Sequence, residues 1–128
     1  MDAGFYRNHG VRIVGANIST ANYLKIPKLM KNLIKNIQKE NIDLILHCAK
    51  IHSKFEKIPP FADGNGRIGR VILNAMLLKR NLPPAIIEQE KKLLYLKYLN
   101  ISQIKHDYSL FEDFLCDAII KGYEIIER

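Results

Sequence analysis

Cysteine is scarce in this chain. The two present, Cys48 and Cys116, lie far apart inside apolar stretches. They form neither a pair of metal ligands nor a disulfide framework, which points to a reducing, cytoplasmic setting. No apolar run approaches the roughly 18 residues that a membrane-spanning helix needs. The start, Met1-Asp2-Ala3-Gly4, has no basic segment followed by an apolar one and so predicts no secretory signal. Internal repeats and low-complexity segments are missing too. Acidic residues are few: 13 Asp and Glu stand against 20 Lys and Arg, for a net charge of +7 and a pI near 9.5. That excess favours an anionic partner, whether nucleic acid, an acidic membrane surface or a nucleotide polyphosphate. The lysines are scattered, however, and no basic stripe is interleaved with aromatics, which argues against nucleic acid.

What is present is an ordinary globular balance. The 128 residues are 48% hydrophobic and 26% charged, enough for one domain, residues 1–128, with its own core. Short β-prone runs, Phe5-Tyr6-Arg7 and Val11-Arg12-Ile13-Val14, flank the turn signal Asn8-His9-Gly10. They predict a small hairpin over about 5–15 that must lean on something larger. Everything after it reads helical. Pro27 suits a first helical turn, and Leu29, Met30, Leu33, Ile34 and Ile37 follow at helical spacing. A second helix is expected from Ile42 to Glu56, apolar over much of its circumference and therefore buried. Pro59-Pro60 ends it. A third starts near Asn65 and stops before Pro83-Pro84, and two more fit 88–101 and 109–126. The class is all-α with a hairpin attached.

The informative run is Pro59-Pro60-Phe61-Ala62-Asp63-Gly64-Asn65-Gly66-Arg67-Ile68-Gly69-Arg70. It is a glycine-bearing turn feeding a helix N-terminus. The first amides of a helix have no internal partners, and with the helix dipole they form a cradle for anions. Arg67 and Arg70, three apart, share a helical face beside that cradle, and guanidinium groups suit phosphate oxygens. Asp63 can supply a hard oxygen to Mg²⁺, which commonly takes one or two carboxylates plus substrate phosphates. These residues describe a site for Mg²⁺ and a polyphosphate. Gly64-x-Gly66-x-x-Gly69 also matches the dinucleotide-binding pattern, but it follows a helix and two prolines instead of a strand. No Gly-Lys-Ser/Thr Walker loop occurs.

Joined to the upstream His52-x-x-Phe55-Glu56-x-Ile58, this run resembles the signature of the Fic family: His-Pro-Phe, one variable residue, Asp or Glu, Gly-Asn-Gly-Arg, two variable residues, Arg. Gly4, Arg7, Val11, Ile13 and Gly15 look like the family's flap, and the helix after Pro27 and the Leu82-Pro83 turn also fit. The resemblance implies a Fic-type helical bundle with a hairpin flap that transfers AMP from Mg²⁺–ATP to a Ser, Thr or Tyr hydroxyl of a target protein. By position it implies that Asp63 holds Mg²⁺, that Gly64, Asn65 and Gly66 form the anion nest, and that Arg67 and Arg70 bind the phosphates. It also implies that Phe61 anchors the loop in the core. The target would add a strand along Val11, Arg12, Ile13 and Val14. Tyr95 and Tyr98 fit core packing better than an adenine pocket.

One departure bears on activity. Where the family has its general-base histidine, this chain has Pro59. Proline has no titratable group, and its ring disfavours a helical conformation at Ile58. Loss of a general base typically slows a reaction by about 10²–10⁴. His52 lies about 10 Å upstream along the helix axis and reads as a core residue. No motif stands behind His9, His47 or His106. Glu56 is a conceivable carboxylate base, or a salt-bridge partner at the helix end. The family's inhibitory motif, Ser or Thr followed four residues later by Glu, is not found: Thr20, Ser53 and Ser109 all lack that Glu. Inhibition in trans stays open. Two functions are therefore expected to compete: a disarmed adenylyltransferase, and a degenerate Fic module that binds nucleotide or protein without chemistry.

Overall fold

A computed structural model of the chain describes residues 4–12, 19–39 and 42–127. Five α-helices follow a short 3₁₀ turn at Tyr23–Lys25: α1 Ile26–Gln38, α2 Leu44–Lys57, α3 Asn65–Lys79, α4 Lys92–Lys105 and α5 Ser109–Ile126. Helix α2 is central and packs against α3, α5, α4 and α1. Its position follows from its sequence. Cys48, Ala49, Ile51 and Phe55 are all buried, and Asp43 caps the N-terminus by accepting from the Leu46 amide at 3.0 Å. Around it close Ile26, Met30 and Leu33 of α1, Leu73, Met76 and Leu77 of α3, Tyr95 and Leu99 of α4, and Phe111, Phe114, Leu115, Ala118 and Ile119 of α5. No described helix is long and apolar enough to cross a membrane. Both cysteines are free, Cys48 in the core and Cys116 exposed.

One expectation finds no support among the described residues and two are corrected. No β-strand occurs among the described residues, so the hairpin is not seen in residues 5–12; Ile13, Val14 and Gly15 lie outside the described residues. The reason is visible at Arg7. Its amide donates to the Pro60 carbonyl at 2.8 Å instead of to a cross-strand partner, and Thr20 Oγ1 donates to the Val11 carbonyl at 3.0 Å. Arg7 thus ties this segment to the loop that follows α2. Second, α2 begins at Leu44, and Ile42 stands wholly in solvent. Third, Ile58 is not pushed into extended backbone by Pro59. It sits at φ −77°, ψ −34°, the helical region. There its amide donates to both Lys54 and Phe55 carbonyls at 3.1 Å, and its carbonyl accepts from Arg7 Nη2 at 3.0 Å. These bonds and a buried side chain outweigh the steric preference.

Candidate active site

The loop between α2 and α3 is built from both ends. On one side Arg7, only 3% exposed, threads its guanidinium under it. Nε donates to the Pro59 carbonyl at 2.7 Å, Nη2 to Ile58 at 3.0 Å and to Ala21 at 2.6 Å, and Nη1 to His9 at 2.7 Å. Pro59 and Pro60 are fully buried above it. On the other side Asn65 grips Phe61, its Oδ1 accepting from the Phe61 amide and its Nδ2 donating to the Phe61 carbonyl, both at 2.9 Å. The Phe61 ring packs at the edge of the core, 5.8 Å from the Tyr6 ring. Gly64 then turns the chain at φ +73°, a conformation that favours glycine, and caps α3.

The helix end offers what an anion needs. The first intrahelical amide is that of Ile68, bonded to the Gly64 carbonyl at 3.1 Å, which leaves the amides of Asn65, Gly66 and Arg67 unspent by the helix. Both arginine heads fold back toward this end. A Cβ on Gly64 would lie 4.0 Å from Arg67 Nη2, and one on Gly66 would lie 3.4 Å from Arg70 Nη1. Among the described residues no carboxylate lies within ion-pair distance of either guanidinium. Arg67 and Asp63 are exposed and Arg70 is half-buried. The structure thus brings Asp63, Gly64, Asn65, Gly66, Arg67 and Arg70 together at one helix terminus. The Asn65 side chain is taken up by Phe61, so this residue can meet a ligand through its backbone amide while its carboxamide braces the loop. No described cluster of three metal-binding side chains exists. A lone Asp63 fits a cation held mostly by phosphate oxygens and water, not one caged by protein.

Sequence reasoning missed Arg7 as a site residue, since a lone arginine in a β-prone run carries no signal of its four carbonyl partners. The core reading of His52 agrees with the structure. His52 is 2% exposed, with Nε2 2.5 Å from the Tyr95 hydroxyl, and burial pushes its pKa down to about 4. Tyr95 is itself buried among Phe111 and Phe114, in the core and not in a ligand site. His47 Nε2 meets the Asn36 carbonyl at 2.8 Å, and His9 lies exposed against Gly10. Glu56 is neither exposed nor in an ion pair. Burial lifts its carboxyl to about 7, against the pull of Arg70. A groove of about 820 Å³, lined by residues including Ile37, Ile72 and Arg80, lies toward the far end of α3. From Asn65 to Lys79 the helix runs about 20 Å, so the chemistry-bearing residues are not the ones that line this groove.

Gly69 decides how closely α2 and α3 approach. A Cβ there would collide with the Glu56 carboxylate and stand 3.1 Å from the Phe55 ring, both buried. An exposed helical Gly→Ala change is commonly stabilising by up to about 1 kcal/mol. Gly69→Ala is expected instead to lower stability by about 1–3 kcal/mol through overpacking, read from a urea unfolding curve.

Glu56 and His52 also set a pH signature. A carboxyl raised from 4.5 to about 7 binds more protons folded than unfolded, so its contribution falls as pH rises through that window. A histidine depressed from 6.5 to about 4 does the reverse: stability is present above 6.5 and lost as pH falls toward 4. Between about pH 4.5 and 6.5 the two slopes oppose. Glu56→Gln is expected to unmask the histidine. Its stability then climbs by about 1.4 kcal/mol per pH unit across that interval, where the parent stays nearly flat in denaturant titrations.

The five-helix bundle, with a glycine-initiated helix presenting amides and two arginines over a clamped loop, is a helical domain with a site of the chemistry an anion needs. The comparisons narrow it. Residues 1–77 match the model of the Fic/DOC family, more than half of the chain, and the chain belongs to that family. It is 37% identical over 78 residues to the "Probable protein adenylyltransferase" of Aquifex aeolicus, covering 60% of this chain and 24% of that protein. To the "Protein adenylyltransferase Fic" of Aedes aegypti it is 34% identical over 74 residues, 58% of this chain and 15% of that one. The chain therefore spans about a quarter or less of these relatives. Among solved structures, a Fic family protein of Desulfovibrio desulfuricans superposes with a TM-score of 0.81 at 26% identity, over 95% of this chain and 40% of that one. Fic-1 of C. elegans gives 0.82 at 24%, over 98% and 37%, a likeness of fold alone.

Proposed function

We propose that this chain is the core of a Fic-type protein adenylyltransferase in which the nucleotide site is retained and the proton acceptor is lost. The observation that carries this reading is the helix terminus itself: unspent amides at Asn65–Arg67, two arginine heads beside Gly64 and Gly66, and Asp63 at the entry, next to a buried Pro59. ATP is the donor suggested by the relatives' names. Arg67, Arg70 and the amides would hold its phosphates, and Asp63 would meet the Mg²⁺ that neutralises them. The target would lie along Val11–Val14 and offer a hydroxyl. Transfer needs that hydroxyl's proton to leave, and Pro59 offers no group to take it. His52, neutral and enclosed, is bonded to Tyr95 and does not stand in.

The test is a pair of measurements on the same preparation. Calorimetry should show binding of Mg²⁺–ATP, while label from α-labelled ATP stays at background in a cell lysate. Labelling by the unaltered chain would defeat the missing-base half of the proposal. Absence of binding would defeat the nucleotide half.

A further inference from the structure

Beneath the phosphate cradle lies a buried polar cluster that the reading above leaves unused. Glu56, on the last turn of α2, is 8% exposed, and its Oε1 has no hydrogen-bond partner. The carboxylate occupies the space that a side chain at position 69 would fill. Two groups act on it electrostatically, Tyr95 from α4 and Arg70 from α3, and a third titratable group, His52, lies one turn earlier on its own helix. His52 is neutral at physiological pH, with Nε2 on the Tyr95 hydroxyl. Burial pushes the tyrosine above its ordinary range, so it is neutral too. Arg70 is the one cation of the three. It acts on Glu56 without closing an ion pair, since its head lies beside Gly66.

Arg70 therefore faces two claims. One comes from the carboxylate inside the α2–α3 seam, the other from any phosphate that docks at the helix end. We propose that Glu56 is a positioning residue for Arg70 whose protonation is coupled to anion binding: when a phosphate takes the Arg70 guanidinium, a proton from solvent moves onto the buried carboxylate. The phosphate half rests on the nucleotide reading given above. The warrant is linkage. A desolvated carboxylate is ionised only to the extent that nearby positive charge compensates it, and here Arg70 supplies that charge. A bound polyanion cancels the compensation, so anion affinity and Glu56 protonation must rise together, each by the same factor. Burial already holds this acid at about 7, so the exchange falls in the neutral range. The domain would then hold a polyphosphate more tightly in mildly acidic than in mildly alkaline conditions.

The test has an arm without ligand and an arm with it. In the first, the Glu56 carboxyl carbon is followed by NMR through a pH titration of the full chain. Arg70→Gln should raise its midpoint by about one pH unit, while Arg70→Lys, which keeps the charge, should leave it close to the parent. An unmoved midpoint in Arg70→Gln overturns the proposal whether or not nucleotide binds. In the second arm Mg²⁺–ATP binding is measured by calorimetry in buffers of different ionisation enthalpy. The parent should take up protons near pH 7.5 and Glu56→Gln should not. The variant should bind about tenfold more tightly at pH 8 and equally at pH 6. Both proteins meet the same ligand, so the ligand's own titration cancels in the difference. Uptake that persists in Glu56→Gln overturns the proposal, as does an affinity ratio that ignores pH. A moved midpoint with no Mg²⁺–ATP binding overturns the nucleotide reading and leaves the Glu56–Arg70 coupling standing.

Discussion

Replacing Pro59 by histidine should raise AMP transfer by about 10²–10⁴ over the parent chain. The magnitude is that of a restored general base with a pKa near neutrality. The backbone accommodates the change. Ile58 already has helical geometry, and the Pro59 carbonyl, which accepts from Arg7, is retained by any residue. The measurement is label from α-labelled ATP in lysate protein, with Pro59→Ala as the control for loop relaxation alone. A gain in the histidine form and none in the alanine form assigns the effect to the proton acceptor. Adding Arg70→Ala to the histidine form should return labelling to background, because the phosphates lose their half-buried guanidinium.

The second large effect is expected at Arg7. Its guanidinium makes four bonds to carbonyls of Ile58, Pro59, Ala21 and His9, and it is 3% exposed. Bonds to a charged donor contribute about 1.5–3 kcal/mol each, and buried acceptors left unpaired add a desolvation penalty. Such terms are not additive, so Arg7→Ala should lower stability by about 4 kcal/mol in denaturant unfolding. It should also abolish nucleotide binding by releasing the Pro59-Pro60 turn. Arg7→Lys keeps the charge but loses the fork geometry that reaches several carbonyls at once, and most of the loss should remain. A near-neutral Arg7→Ala would mean that Asn65 and the two prolines hold the loop unaided.

The helices were legible because their signals are local. Apolar residues at helical spacing, Pro27 at a first turn and Pro59-Pro60 and Pro83-Pro84 as breakers set five elements, with ends that differ by a few residues. The motif was legible for a related reason: its chemistry sits within twelve consecutive positions, and α3 converts that sequence adjacency into spatial adjacency. What stayed hidden depends on long-range partners. Arg7 is 51 and 52 residues from the Ile58 and Pro59 carbonyls it clamps, and nothing near it in sequence announces them. Ile58 adopts helical backbone against its following proline because Arg7 and Phe55 hold it. The hairpin was inferred from β-prone residues whose bonding groups, at Arg7, are spent on the loop. Glu56 could be named as a carboxylate near the motif, but its enclosure under Gly69 follows from the α2–α3 packing and cannot be read from spacing.

The central claim is that the phosphate site is intact in a chain without its proton acceptor. The most direct measurement is an amide NMR titration of the unaltered chain with Mg²⁺–ATP. The account predicts that the amides of Gly64, Asn65, Gly66 and Arg67 shift first and furthest, and that Arg70→Gln weakens the response at least tenfold. Shifts confined to the groove of Ile37, Ile72 and Arg80 at the far end of α3, or no shifts at all, would contradict it.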